Sequence, residues 1–168
     1  RDLVRSRGLG DVYKRQFLVQ SENGDTLIKA SSQWILIDAA RRRPIALREN
    51  LPMYQVIGER VIDTDFPKIS EPQRIDEAAE FFIRFDDIDL NNHVNNAVYP
   101  LWASEAVGID FRAAHTPAEI EVAFKKEGLY GEDIRVETEF DNLTTIHRIK
   151  ATGDGRELAR VRICWIRI

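Results

Sequence analysis

Apolar residues alternate with polar ones over much of the second half of the chain, and in one stretch they recur every three to four positions. "EIEVAF" (119–124) puts Ile120, Val122 and Phe124 on one face, and "DIRVETEF" (133–140) does the same with Ile134, Val136 and Phe140. "TTIHRIKA" (144–151) and "ELARVRICWIRI" (157–168) complete four successive strands, closed into hairpins by "LYGED", "DNL" and "TGDGR". A further strand, "AEFFIRF", precedes them at 79–85. Between lies a predicted helix from about Asn95 to Val107, with Val98, Leu101, Trp102 and Val107 on its buried face. Asn95 or Asn96 is the expected cap. Pro100 predicts a kink or a late start, because it lacks an N–H and crowds the preceding turn. Residues 77–168 therefore read β-α-β-β-β-β, an α+β domain with one helix packed on an antiparallel sheet.

The first half is patterned differently. "FLVQ" and "LIKASSQWILID" flank "SENGD", whose Asn23-Gly24 is a hairpin turn signal. "WILI" is apolar at every position, which predicts cover on both faces, and Pro44 ends the strand. Residues 48–76 contain Pro52, Gly58, Pro67 and Pro72 with no sustained period, and read as a linker.

Composition narrows the class. Apolar residues make up 43% of the 168, enough for a core, and no run of about 18 uncharged apolar residues predicts a membrane span. One cysteine, Cys164, leaves no internal disulfide or cysteine-rich metal site, so a reducing, cytoplasmic location is expected. Its apolar neighbours predict a buried structural thiol. Residues 1–16 hold five Lys/Arg against two Asp, a net of +3, leaving 19 basic and 26 acidic residues elsewhere, a net of −7. A chain this acidic is a poor general binder of nucleic acid. The basic opening lacks any period, and its composition breaks at Phe17. It resembles a translated adapter sequence, expected to be disordered and excluded from the fold, with a natural basic arm as the alternative.

The chemistry concentrates in "DDIDLNNHVNNAVYPLW" (86–102), which holds three acids, four asparagines and a histidine before the helix. Three readings compete. A calcium loop starting at Asp87 would align Asp87, Asp89 and Asn91 as ligands, but Asn92 stands where the turn needs Gly and Val98 where a bidentate Glu is needed. A turn and helix cap explains some of these residues, though capping needs only one of them. A catalytic constellation explains the surplus. Asp89, Asn91 and His93 are spaced by two, so in an extended loop their side chains share a side, and a helix N-terminus offers amides to an incipient oxyanion.

The segment resembles the catalytic stretch of acyl-acyl-carrier-protein thioesterases, patterned D-x-D-x-N-x-H-V-N-N-x-x-Y-x-x-W. "KASSQWILIDAARRRP" is similar to the end of that family's first domain, and "AFKKEG" to the strand end carrying its last catalytic residue. The resemblance covers residues 17–168. It implies tandem hotdog folds, each a helix wrapped by a curved antiparallel sheet. Residues 17–47 would be the terminal strands of a truncated first hotdog, 48–76 the linker and 77–168 the catalytic hotdog. It also implies that His93 and Glu127 activate a water, that Asn91 and nearby helix amides hold the thioester carbonyl, and that Asp89 orients the set. Some members carry Cys after the Glu. Here the residue is Gly128, which favours attack by water over a covalent thiol route.

The implied activity is hydrolysis of acyl-carrier-protein thioesters to free fatty acid, without metal or other cofactor and without membrane insertion. The partner is an acyl carrier protein bearing a phosphopantetheine thioester, and a homodimer is compatible with this reading. Asn95, Asn96 and Trp102 are substrate-binding candidates. Arg41, Arg42, Lys125 and Lys126 are candidates for docking an acidic carrier. A single-hotdog acyl-CoA thioesterase and a non-catalytic acyl-thioester binder are the alternatives. His115 and His147 are expected in surface or sheet roles, and Trp34 and Trp165 in the core.

Overall fold

The computed structural model describes residues 2–4, 12–38, 40–41, 43–46, 50 and 59–168. The chain divides into two compact units, Arg1–Pro67 and Lys68–Ile168.

In the first unit, β1 (Asp2–Val4), β2 (Val12–Gln20) and β3 (Thr26–Ile35) form one antiparallel sheet in that order. The predicted turn closes β2 on β3, with Gly24 at φ 89° and its amide bonded to the Ser21 carbonyl at 3.0 Å. That positive φ is the reason for a glycine there. Residues 12–16, expected to lack structure, form the start of β2. β3 is long enough to pair with them, Tyr13 opposite Trp34 and Arg15 opposite Ser32. β4 (Ile37–Asp38) and β5 (Arg43–Pro44) make a small separate hairpin. The apolar run at 34–37 is not covered as expected. Trp34, Ile35 and Ile37 keep 39%, 49% and 56% of their surface exposed, because the described residues of this unit supply no second layer over them.

The second unit carries the predicted succession of strands and helix, but "LYGED" does not close a hairpin, because the strand at 115–124 pairs with that at 157–167 and not with that at 133–141. β6 (Glu77–Phe82), β7 (His115–Phe124), β8 (Asp133–Asp141), β9 (Thr144–Ala151) and β10 (Glu157–Arg167) form a five-stranded antiparallel sheet ordered β6-β8-β9-β10-β7. Helix α1 (Val98–Glu105) packs on it, followed by α2 (Ile109–Ala114), which the sequence did not announce. α1 starts late, with Pro100 as its third residue. The amide of that position has no partner within any helix, so proline loses nothing there and no kink is needed. The buried face is Tyr99, Trp102, Ala103 and Ala106, spaced i, i+3, i+4 and i+7, and Val107 just beyond the helix is buried as expected, whereas Leu101 is 64% exposed. The alanines let the helix backbone sit close to the sheet, which a stripe of larger side chains would prevent.

Facing the helix, Ile134, Val136, Ile149, Val161 and Ile163 are fully buried. Each contributes about 1.5–3 kcal/mol, against about 0–1 for a surface ion pair, so this core dominates the unit's stability. The opposite side of β8 is polar yet covered. Glu137 meets Arg148 and Lys150, and Glu139 accepts from the Gln73 amide at 2.6 Å. Residues 68–76, taken into the linker with Pro72, thus pack on the sheet, with Ile69 and Pro72 buried and Arg160 donating to the Ile69 carbonyl.

Candidate active site

The polar loop begins in a short 3₁₀ turn, Phe85–Asp87, that fixes its first acid. Asp87 accepts from the Arg84 amide at 2.8 Å and from the Arg84 guanidinium at 2.9 Å. Burial pushes this carboxyl up, but the Arg84 guanidinium and amide outweigh it and hold it below its ordinary range. Asp87 is therefore an anchor for the loop, and its carbonyl accepts the Asn95 amide at 2.8 Å. No metal-binding cluster of His, Cys, Asp and Glu occurs among the described residues.

Residues 89–93 are not extended, as the spacing argument assumed. Ile88 and Val94 bridge antiparallel, the Asp89 amide donates to the His93 carbonyl at 2.8 Å, and Asn92 turns the chain at φ 62°. Asparagine tolerates this left-handed conformation better than most residues. The loop closes on itself, and closure brings the catalytic candidates together where alternation would not have.

Two pairs result. Asp89 accepts from the Asn91 amide at 2.8 Å and from the Asn91 side chain at 3.3 Å. The Asn91 backbone amide is the main cause holding Asp89's carboxyl below its usual range, with the His93 charge a smaller one. His93 Nε2 lies 3.3 Å from Glu127 Oε2, with 32% and 49% of the two side chains exposed. Glu127 comes from the loop after β7, so the second pair joins positions 34 residues apart in the sequence.

The expected cap is corrected. Ala97 is the helix N-cap and offers no side-chain bond. Asn95 acts two residues earlier, its side chain accepting from the Ala97 amide at 3.0 Å and its carbonyl from the Val98 amide at 2.9 Å. Asn96 is exposed. Trp102 is buried in the core, edge-on to Tyr99 at 5.4 Å and stacked on Phe81 at 6.4 Å. Of the docking candidates, Lys125 and Lys126 are exposed beside Glu127, Arg41 is exposed in the first unit, and Arg42 lies outside the described residues.

Two features went unnoticed in the sequence. Gly128 is buried, and a Cβ there would meet Val94 Cγ2 at 2.9 Å, so a cysteine has no room at this position without displacing its neighbours. His147 is fully buried rather than merely placed in the sheet, its ring nitrogens 2.9 Å from Thr138 Oγ1 and 2.7 Å from Thr145 Oγ1. Burial pushes its pKa down to about 3. His115 stacks on Phe111 at 4.1 Å, and Cys164 is half-buried near the Thr144 hydroxyl. No helix among the described residues is long and apolar enough to cross a membrane.

Comparison with known proteins places this geometry in context. A sequence model of the acyl-ACP thioesterase C-terminal domain matches residues 70–167. The chloroplastic palmitoyl-acyl carrier protein thioesterase of Arabidopsis thaliana is 26% identical over 175 residues, covering 90% of this chain and 41% of the relative. This chain thus spans well under half of that relative's length. The solved 12:0-ACP thioesterase from Umbellularia californica superposes with a TM-score of 0.82 at 21% identity, over 99% of this chain and 66% of that one. An acyl-ACP thioesterase from Bacteroides thetaiotaomicron superposes with a TM-score of 0.80 at 20% identity, over 98% of this chain and 67% of that one. These two likenesses establish the hotdog fold.

Proposed function

The chain belongs to the acyl-ACP thioesterase family through its C-terminal domain, and from that premise we propose that it hydrolyses acyl-carrier-protein thioesters to free fatty acid and carrier protein. The observation that carries this reading is the 3.3 Å contact between His93 Nε2 and Glu127 Oε2 in a solvent-reached loop. A carboxylate and an imidazole in contact, both open to solvent, suit the deprotonation of a water. That water attacks the thioester carbonyl carbon, the tetrahedral oxyanion collapses, and the phosphopantetheine sulfur leaves and regains a proton from the imidazole.

Asp89 stays ionised at neutral pH, because its folded carboxyl lies below its usual range. It suits orientation of Asn91 and His93 better than proton donation. Asn91 bonds Asp89 through its side-chain amide nitrogen, and that group has a second N–H for a carbonyl oxygen. Backbone amides near the helix start are mostly engaged: those of Val94, Asn95, Ala97 and Val98 all donate elsewhere, and Pro100 has none. The backbone amide of Asn96, an exposed residue at the helix approach, is the candidate to join Asn91 as an oxyanion donor. The lack of room for a side chain at Gly128 favours water over a thiol nucleophile there. Lys125 and Lys126, flanking the site, suit an acidic carrier protein.

The test is free-thiol release by the purified chain from acyl-carrier-protein and acyl-CoA thioesters, beside His93→Ala. Turnover that prefers the carrier protein and is lost in the variant supports the proposal. A preference for the CoA thioester replaces it with an acyl-CoA thioesterase, and saturable binding without turnover replaces it with an acyl-thioester binder.

A further inference from the structure

Half of the Glu127 side chain faces solvent, yet its carboxylate meets His93. A long acidic side chain with that much freedom is aimed chiefly by the backbone that carries it. The peptide unit joining Glu127 to Gly128 is held at both ends. Its carbonyl accepts from Arg156 Nη2 at 3.4 Å, and its N–H donates to the Tyr99 hydroxyl at 3.3 Å. The next carbonyl, that of Gly128, accepts the Val94 amide at 2.9 Å. Val94 follows His93 as Gly128 follows Glu127, so this bond sets the two catalytic candidates side by side.

We propose that Tyr99, acting through the Glu127–Gly128 peptide, is the positioning residue that aims the Glu127 carboxylate at His93, and that Gly128 lacks a side chain so that this clamp can close. The inference rests on the thioesterase reading for its catalytic consequence, though its geometry stands without it. Tyr99 is fit for the task because its ring cannot wander. It is 2% exposed, edge-on to Trp102 at 5.4 Å and to Phe124 at 5.5 Å. Phe124 lies at the end of β7, immediately before the Glu127 loop, while Tyr99 lies in the first turn of α1. One side chain therefore ties the helix start to the carboxylate's loop. Burial raises the phenol's pKa above its usual value, so it remains a neutral hydrogen-bonding group and not a base.

The space around Gly128 argues the same way. A Cβ would stand 2.9 Å from Val94 Cγ2, 3.1 Å from Ile83 Cδ1 and 3.3 Å from the Tyr99 hydroxyl. Ile83 has no exposed surface and cannot easily retreat. Any side chain would push the Gly128 peptide away from both Val94 and Tyr99, breaking the two bonds that define the clamp.

Tyr99→Phe removes one oxygen and keeps the ring. In the hydrolysis assay kcat should fall roughly 10- to 100-fold, the range expected when a catalytic group is misplaced by about an ångström, with KM unchanged. In a Glu127→Gln background the same substitution should add no further loss, since no carboxylate remains to be aimed. An additive loss in that background, or an unchanged kcat in the single variant, overturns the proposal. Nuclear magnetic resonance supplies a readout independent of turnover. In the unmodified chain the Gly128 amide should be protected from hydrogen exchange, and the His93 ring should show a cross-relaxation peak to the Glu127 γ-protons. Both should weaken in Tyr99→Phe. An unprotected Gly128 amide or a missing peak in the unmodified chain overturns the clamp whether or not the chain is a thioesterase. Intact peaks with no turnover defeat the enzymatic reading alone.

Discussion

Two histidines in the second unit meet opposite surroundings. His93 sits in the closed loop before α1, a third of its side chain exposed and a carboxylate 3.3 Å from Nε2. His147 lies at the centre of β9 with no exposure, between the hydroxyls of Thr138 and Thr145, and Thr145 also accepts from Trp165 Nε1 at 2.9 Å. Hydroxyls satisfy a neutral imidazole, which needs one donor and one acceptor, but they offer no counter-charge to an imidazolium. The same side chain is a candidate proton carrier at the loop and a fixed hydrogen-bonding wedge in the sheet. Solvent and a carboxylate make the difference.

The largest expected effect breaks the comparison by forcing a proton onto the buried ring. His147 has a folded pKa of about 3 against an ordinary 6.5. Below 6.5 the unfolded chain takes up a proton that the folded chain refuses. The neutral ring's contribution is therefore complete above that pH and is lost as pH falls towards 3, by at most roughly 5 kcal/mol. Urea unfolding measured across this window should show a stability that falls with acid, and His147→Gln should flatten the slope by about one proton. An identical slope in the variant would show that the ring is not the buried group responsible.

Next in size is the loop histidine. His93→Ala should lower kcat roughly 10²-fold or more, about 2.7 kcal/mol, while leaving the melting temperature nearly unchanged, because a solvent-reached ring packs little. Glu127→Gln should behave alike. A large drop in melting temperature for either would make the two histidines alike in role and end the contrast. Smallest is the charge beside the site. Lys125→Glu with Lys126→Glu should weaken carrier-protein binding about tenfold at low salt, with the difference shrinking as salt rises. Binding that ignores both substitution and salt would discard the docking role.

Much of the second unit was legible because strand alternation is a local property. All five strands stand at or near the predicted segments, and the β8–β9 and β9–β10 hairpins are as expected, but β7 pairs with β10 at the sheet edge and not with β8. The helix was found and its face partly read. Trp102 and Val107 are buried and Val98 packs against the core, but Leu101 is exposed, and Tyr99, Ala103 and Ala106 were missed. Alanine carries little hydrophobic signal in a sequence, yet it is what close helix-to-sheet contact requires. α2 was missed for a related reason, since none of its six residues is buried and no apolar stripe marked it. The cover of residues 68–76 was hidden because prolines signal irregular backbone and say nothing of where that backbone lies.

The sequence by itself determined the succession of strands in the second unit, though not that β7 pairs with β10, together with the place of the helix and the residue types crowded at 86–102 that mark the loop as chemical. It also carried the family resemblance through which Glu127 entered the site. Tertiary structure alone decided which of those residues meet. Asp87 turned away to Arg84, Asn95 organised a turn in place of a cap, and His93 reached Glu127 across 34 positions. Such meetings depend on backbone approaches between distant segments, such as Val94 on Gly128 at 2.9 Å, and on the space that a missing side chain leaves. Periodicity and spacing report what neighbours along the chain can do. They contain no measure of how closely two remote backbones come together, and at this site that distance decides the chemistry.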